Sequence, residues 1–97
     1  MQYEIHTTAE FNDWASRLKD RQAALAIANR IDRAANGNLG DIKSLGDGIS
    51  EMRIALGPGY RLYFTLRGGR LIVLLCGGDK STQVRDIQTA RTLARNL

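Results

Sequence analysis

Apolar and polar side chains alternate along three stretches of the chain, at residues 1–6, 49–56 and 60–67. A period of two is typical of a strand with one buried face, so each stretch predicts a half-buried strand. A fourth stretch, residues 71–76, is apolar throughout and predicts a central strand covered on both faces. Gly57-Pro58-Gly59 and Gly68-Gly69 lie between the last three strands and predict turns there.

Three further stretches have apolar residues at helical spacing. The first has one face made of Phe11, Trp14, Ala15 and Leu18. We expect Thr7 to be its N-cap, with Glu10 completing a capping box. The second, residues 24–35, ends at Asn36-Gly37. The third is expected to begin at Ser81, a good N-cap residue, and to bury an apolar face that runs from Val84 to Leu97. Residues 38–48 show little periodicity, which favours a loop.

The resulting fold class is α+β, in the order β-α-α-β-β-β-α. We expect a mostly antiparallel sheet with the helical hairpin on one face, a C-terminal helix, and a second sheet face that is partly open. The 97 residues suit one domain, residues 1–97. A hydrophobic share of 43 % and a charged share of 25 % exclude a disordered or fibrous chain. The sequence shows no signal peptide and no membrane-spanning run, which favours a cytoplasmic protein.

Positive charge is concentrated in the second half of the chain. Residues 1–52 contain six Lys and Arg against eight Asp and Glu, a net charge of −2. Residues 53–97 contain eight against two, a net charge of +6. Such an asymmetry indicates a polyanionic partner.

The open sheet face is the candidate site. Arg53 and Arg61 share this face by the period-two rule, and Lys80 lies where the last helix begins, so the three could surround one phosphate group. Surface arginines are often only solvated, but residues 53–70 hold four arginines and no acidic residue.

Other side chains could extend this site toward a nucleic acid. Gln83 could donate to the same phosphate or to a base, and Tyr63 could stack on a base. Lys43 and Arg85 are further candidate RNA contacts, as the one cation of residues 38–48 and a cation on the exposed side of the last helix. Glu51 shares a strand face with Arg53, where it is either a general base or an ion-pair partner. Cys76 is expected to be a small buried hydrophobe, and His6 to be structural. We predict no metal site and no cofactor.

The segments GNLGDIKSLGDGISEMRIALGPGYRLYF and LLCGGDKSTQVRDIQTA resemble the RelE/ParE superfamily, and within it the HigB-like branch of addiction-module killer proteins. The resemblance implies a type II toxin–antitoxin toxin, and most relatives are endoribonucleases that cut mRNA, often on the ribosome. It matches Arg53, Arg61 and Lys80 to the family's catalytic cations. Relatives often have a Tyr or His near the last helix, whereas this chain has STQVRDI there, which leaves the proton-transfer group open.

The resemblance also implies partners. They are a cognate antitoxin, commonly a helix-turn-helix DNA-binding protein, and mRNA, with no membrane contact. A homodimer or a heterotetramer with the antitoxin is compatible with this. The expected reaction is attack of the RNA 2′-OH on the adjacent phosphate. Arg53 and Arg61 would stabilise the added negative charge, and Lys80 would either do the same or act as the acid. Two alternatives stay open: a toxin that inhibits DNA gyrase without cutting RNA, and a plain nucleic-acid-binding module.

Overall fold

The computed structural model describes residues 2–97. Its elements, in chain order, are β1 (Glu4–Thr7), α1 (Ala9–Ser16), α2 (Arg21–Ala35), β2 (Ile42–Gly46), β3 (Ile49–Ile54), β4 (Tyr60–Arg67), β5 (Leu71–Asp79) and α3 (Gln83–Arg95). A short 3-10 turn, Lys80–Thr82, joins β5 to α3. The predicted α+β class is confirmed, with one strand more than the sequence pattern indicated.

The five strands form one sheet in the order β1-β5-β4-β3-β2. β1 is parallel to β5, and all other neighbours are antiparallel. The apolar strand β5 therefore lies inside the sheet, as its sequence predicted. A bulge at Leu75 leaves this residue without a partner between the pairs Tyr63–Cys76 and Phe64–Leu74. The extra residue puts both Leu75 and Cys76 in the same hydrophobic cluster.

Each face of the sheet has its own hydrophobic core. On one face, α1 and α2 contribute Phe11, Ala23, Ile27 and Ala34 against residues of β3, β4 and β5. On the other face, Ala90 and Ala94 of α3 pack on Ile49, Tyr63, Val73, Leu75 and Cys76. The prediction that this face is open is therefore wrong for most of its area, because α3 covers it. Alanines on α3 let the helix lie close to the sheet, and only the end near Arg53 and Arg61 stays uncovered.

The predicted loop at residues 38–48 is also wrong, because it contains β2. This edge strand pairs with β3, and the hairpin turns at Asp47-Gly48, where both residues have positive φ (56° and 75°). Two-residue hairpin turns of type I′ require that conformation at both positions, and Asp-Gly is a preferred sequence for them. The Asp47-Gly48 pair was therefore a hairpin signal in the sequence.

The helix ends differ from the prediction by one or two residues. Thr7 stays in β1, paired with Leu74, so the N-cap of α1 is Thr8, whose hydroxyl accepts from the Phe11 amide at 3.0 Å. Ser81 is not an N-cap either. Asp79 caps the 3-10 turn by accepting from the Ser81 amide at 2.8 Å, and α3 begins only at Gln83.

The apolar face of α3 is shorter than predicted. Val84 and Leu97 are 78 % and 58 % exposed, and α3 contacts the sheet through the residues between them, Ile87, Ala90, Leu93 and Ala94. No helix in residues 2–97 is both long enough and apolar enough to cross a membrane.

Candidate functional site

An open cleft of about 450 Å³ lies at the end of the sheet that α3 leaves uncovered. Its lining includes all three cations that the sequence grouped together, Arg53, Arg61 and Lys80. The Gly57-Pro58-Gly59 turn also lines the cleft, and Asp41, whose side chain is 61 % exposed, lies at its outer edge. The volume falls within the range of about 300–1,000 Å³ that is usual for small-ligand pockets.

Arg53 and Arg61 face each other directly on β3 and β4. Like charges at such positions destabilise a sheet, and here a carboxylate compensates each of them. Asp41 Oδ1 lies 2.8 Å from Nη2 of Arg53, and Glu51 Oε2 lies 2.8 Å from Nε of Arg61. Two of the three cations are therefore paired, and the cleft keeps a net positive charge.

Each cation still has donors that the protein does not use. Within residues 2–97, Nη1 of Arg53, Nη2 of Arg61 and Nζ of Lys80 make no hydrogen bond. All three side chains line the same cleft. An anion that enters the cleft can therefore be bound without breaking either ion pair.

A buried ion pair with Glu51 holds the Arg61 side chain in place. Its side chain is 11 % exposed and Glu51 is 1 % exposed, so this ion pair is buried. Nε of Arg61 and Oε2 of Glu51 are close enough to form an ion pair, but their relative orientation does not meet the geometry of a hydrogen bond. The other carboxylate oxygen of Glu51 accepts from Nε2 of Gln83 at 3.4 Å. Glu51 therefore partners Arg61, whereas the sequence suggested Arg53, because Arg61 is the arginine that lies toward the interior of the sheet.

Lys80 reaches the cleft across Gly59. A Cβ on Gly59 would lie 3.0 Å from Cε of Lys80, and Gly59 has a φ of +80°. Both facts favour glycine at this position. The Asp79 cap fixes the backbone on the other side of Lys80. The glycine turn thus makes room for the third cation.

A buried arginine that the sequence analysis missed supports the outer edge of the cleft. Arg30 of α2 is 7 % exposed and donates to three main-chain carbonyls: Leu39 at 3.3 and 3.1 Å, Asp41 at 2.7 Å and Arg53 at 2.8 Å. Burial lowers the pKa of its guanidinium, which stays charged at neutral pH. Gly40, with a φ of +66°, packs against it so closely that a Cβ would lie 2.7 Å from Nε.

Asp41 is the second residue that the sequence analysis missed. Its carbonyl accepts from the Arg53 amide at 2.9 Å as well as from Arg30. Its carboxylate accepts from Nε and Nη2 of Arg53, and this hydrogen bond holds the pKa of the Asp41 carboxyl below its usual value. No sequence pattern pairs residue 41 with residue 53. A prediction of the β2–β3 hairpin would have paired them, because the hairpin places Asp41 beside Arg53.

The predicted exposure of Tyr63 is wrong. The residue is fully buried beneath α3, its hydroxyl has no hydrogen-bond partner in the described part of the chain, and burial raises the pKa of the phenol. Its ring cannot stack on a base in this structure. The cause is α3, which covers the central row of the sheet face.

The remaining candidate RNA contacts lie outside the cleft. Gln83 and the exposed Arg85 line a shallow groove of about 480 Å³ along the start of α3, which meets the cleft at Lys80. Lys43 is exposed on the edge strand β2, opposite Glu51. The structure therefore brings Gln83 and Arg85 next to the cleft and leaves Lys43 apart from it.

Comparisons with known proteins place this arrangement in a family. Residues 13–95 match the model of the family described as Phage derived protein Gp49-like. An uncharacterized protein of Haemophilus influenzae is 52 % identical over 97 residues, which are the whole of this chain and 98 % of that protein. Among solved structures, a mutant of the E. coli toxin RelE in the free state superposes with a TM-score of 0.70 at 12 % identity, over 89 % of this chain and 93 % of that one. The chain therefore belongs to the phage-derived Gp49-like family, and it shares the fold of the RelE toxin.

Proposed function

We propose that this protein is the toxin of a type II toxin–antitoxin system and acts as a metal-independent endoribonuclease on mRNA, free or on the ribosome. One observation carries the proposal: three cations with unused donors line a single open cleft. The family match and the RelE-like fold agree with it. The HigB-like branch is the one whose motifs the sequence resembles most.

The chemistry that we propose is attack of a ribose 2′-OH on the adjacent phosphate. The transition state gathers extra negative charge on the phosphoryl oxygens. Preformed donors aimed at such charge contribute about 3–4 kcal/mol each. Arg53 and Arg61 are preformed in this sense, because Asp41 and Glu51 hold them in the free protein.

Two residues take secondary roles in this proposal. Glu51 is buried and engaged by Arg61 and Gln83, which favours a positioning role for it over that of a general base. Lys80 has no carboxylate partner in the described chain. We therefore assign to it the leaving oxygen, whose negative charge it would stabilise or to which it would donate a proton. Gln83 and Arg85 would guide the flanking nucleotides along the adjoining groove.

Lys80 also gives the cleanest test. It is exposed, and its removal leaves no buried carboxylate unpaired. We expect Lys80→Ala to lose growth arrest in an expressing cell and to lose the new transcript 5′ ends that the wild-type protein produces. Arg70→Ala is the matched control, an exposed cation in the β4–β5 turn at the far end of the sheet.

Three outcomes distinguish the nuclease from the gyrase inhibitor and the nucleic-acid-binding module. Transcript cleavage that depends on Lys80 but not on Arg70 supports the nuclease. Growth arrest with intact transcripts and inhibited DNA supercoiling supports the gyrase alternative. RNA binding that weakens steeply with salt, with neither cleavage nor growth arrest, supports a plain nucleic-acid-binding module. In either of the last two cases the nuclease proposal is wrong. For the first two readings we also propose a neighbouring antitoxin, commonly of the helix-turn-helix type.

A further inference from the structure

The reaction proposed above needs a group that takes the proton of the 2′-OH, and we infer that this group is the carboxylate of Asp41. The inference rests on the proposed nuclease function. It is carried by the position of Asp41 at the edge of the cleft, bonded to Arg53 and braced by Arg30.

The other candidate bases are not accessible from the cleft. Glu51 is 1 % exposed and both its oxygens are engaged. Tyr63 is fully buried. His6 lies on β1, at the opposite edge of the sheet from β2, and contacts Glu4. Of the residues that the structure shows lining the cleft, Asp41 alone carries a carboxylate, and its side chain is 61 % exposed.

The distance between Asp41 and the cations suits the reaction. A reacting 2′-oxygen lies about 3–3.5 Å from phosphorus, so the proton acceptor must be a neighbour of the cations that hold the phosphate. Asp41 Oδ1 is 2.8 Å from Nη2 of Arg53. A phosphate bound to Arg53 therefore brings the adjacent 2′-OH within hydrogen-bond reach of the Asp41 carboxylate.

The Asp41 carboxylate is also ionised, and its main chain is held in a fixed position. The hydrogen bond from Arg53 holds the pKa of Asp41 low, so the group is ionised at neutral pH and can accept a proton. The unused Nη1 of Arg53 can bind the phosphate while this hydrogen bond holds the carboxylate beside it. Meanwhile the main chain of Asp41 stays fixed by the Arg30 guanidinium and the Arg53 amide.

The step balances without a metal or other cofactor. The O2′–H bond breaks and its proton passes to Asp41, while O2′ forms a bond to phosphorus. The P–O5′ bond breaks and O5′ leaves with a proton from the Lys80 ammonium. The products are a 2′,3′-cyclic phosphate and a free 5′-hydroxyl, and exchange with water restores both side chains.

The test uses Asp41→Asn in the full chain, with a labelled single-stranded RNA of mixed sequence, with and without ribosomes. The matched control is Asp47→Asn, an exposed aspartate that pairs with Arg91 at the other end of the β2–β3 hairpin. Loss of a general base lowers a rate by about 10²–10⁴-fold. We expect kcat for Asp41→Asn to fall by about 100-fold or more, and Asp41→Glu to retain part of the activity.

Binding separates this role from simple charge compensation. A 2′-deoxy analogue of the same RNA, which cannot react, should bind Asp41→Asn at least as tightly as the wild type, because a negative charge is removed. Asp47→Asn should change neither kcat nor binding. Cleavage by Asp41→Asn as fast as by the wild type would overturn the assignment of Asp41 and leave the nuclease standing. Absence of cleavage by the wild type, with and without ribosomes, would overturn the nuclease and the Asp41 role together.

Discussion

Replacement of Arg30 by methionine tests whether the buried guanidinium supports the cleft. Arg30→Met keeps an unbranched side chain in α2 but removes the donors to Leu39, Asp41 and Arg53. The Asp41 carbonyl would still accept from the Arg53 amide, which leaves the carbonyls of Leu39 and Arg53 as the two unsatisfied acceptors within residues 2–97. An unsatisfied buried acceptor costs about 1–3 kcal/mol. Water can reach part of this edge, so we expect a loss near the lower bound for each carbonyl, about 2 kcal/mol in total.

Urea unfolding followed by the fluorescence of Trp14 measures this loss. Trp14 is the one tryptophan of the sequence and packs on the core beside Tyr60. With an m-value of about 1–1.5 kcal/mol/M, the expected loss lowers the urea midpoint by about 1.3–2 M. The control is Arg33→Met, an exposed arginine one turn further along α2, which should change stability by less than about 0.5 kcal/mol. A loss below about 1 kcal/mol for Arg30→Met would refute the reasoning.

Two further predictions concern buried groups on the sheet face that α3 covers in part. Arg61→Ala should cost about 3–5 kcal/mol because it leaves the Glu51 carboxylate buried and unpaired, and the double variant with Glu51→Gln should recover part of that loss in urea unfolding. A double variant no more stable than the single one would contradict this. The Cys76 thiol, whose pKa burial raises to about 12, should react with a disulfide reagent at pH 8 roughly a thousand times more slowly than after unfolding in urea. The contribution of the buried, neutral Cys76 thiol to the free energy of unfolding should be lost as pH rises from 9.0 toward 12. Fast labelling of the folded protein would show that the thiol is not buried.

The period of the hydrophobic pattern determined every helix and strand of residues 2–97 except β2. Alternation marked β3 and β4, the unbroken apolar run marked β5 as an interior strand, and helical spacing marked α1, α2 and α3. These patterns are local, because each reports only which faces of one element meet the core. For the same reason the sequence placed Arg53 and Arg61 on one sheet face and Lys80 beside it, and in the structure the three line one cleft.

Tertiary structure decided what surrounds these cations. Whether an arginine meets a carboxylate depends on strand register and helix packing, which join residues far apart in sequence, such as Arg30 with Arg53 and Glu51 with Gln83. The burial of Tyr63 likewise follows from the docking of α3, which no pattern within β4 records. The sequence by itself therefore determined the elements other than β2 and the charges at the site. Only the packed fold decided which charges are neutralised and which remain free to bind an anion, because that choice depends on contacts across the sheet.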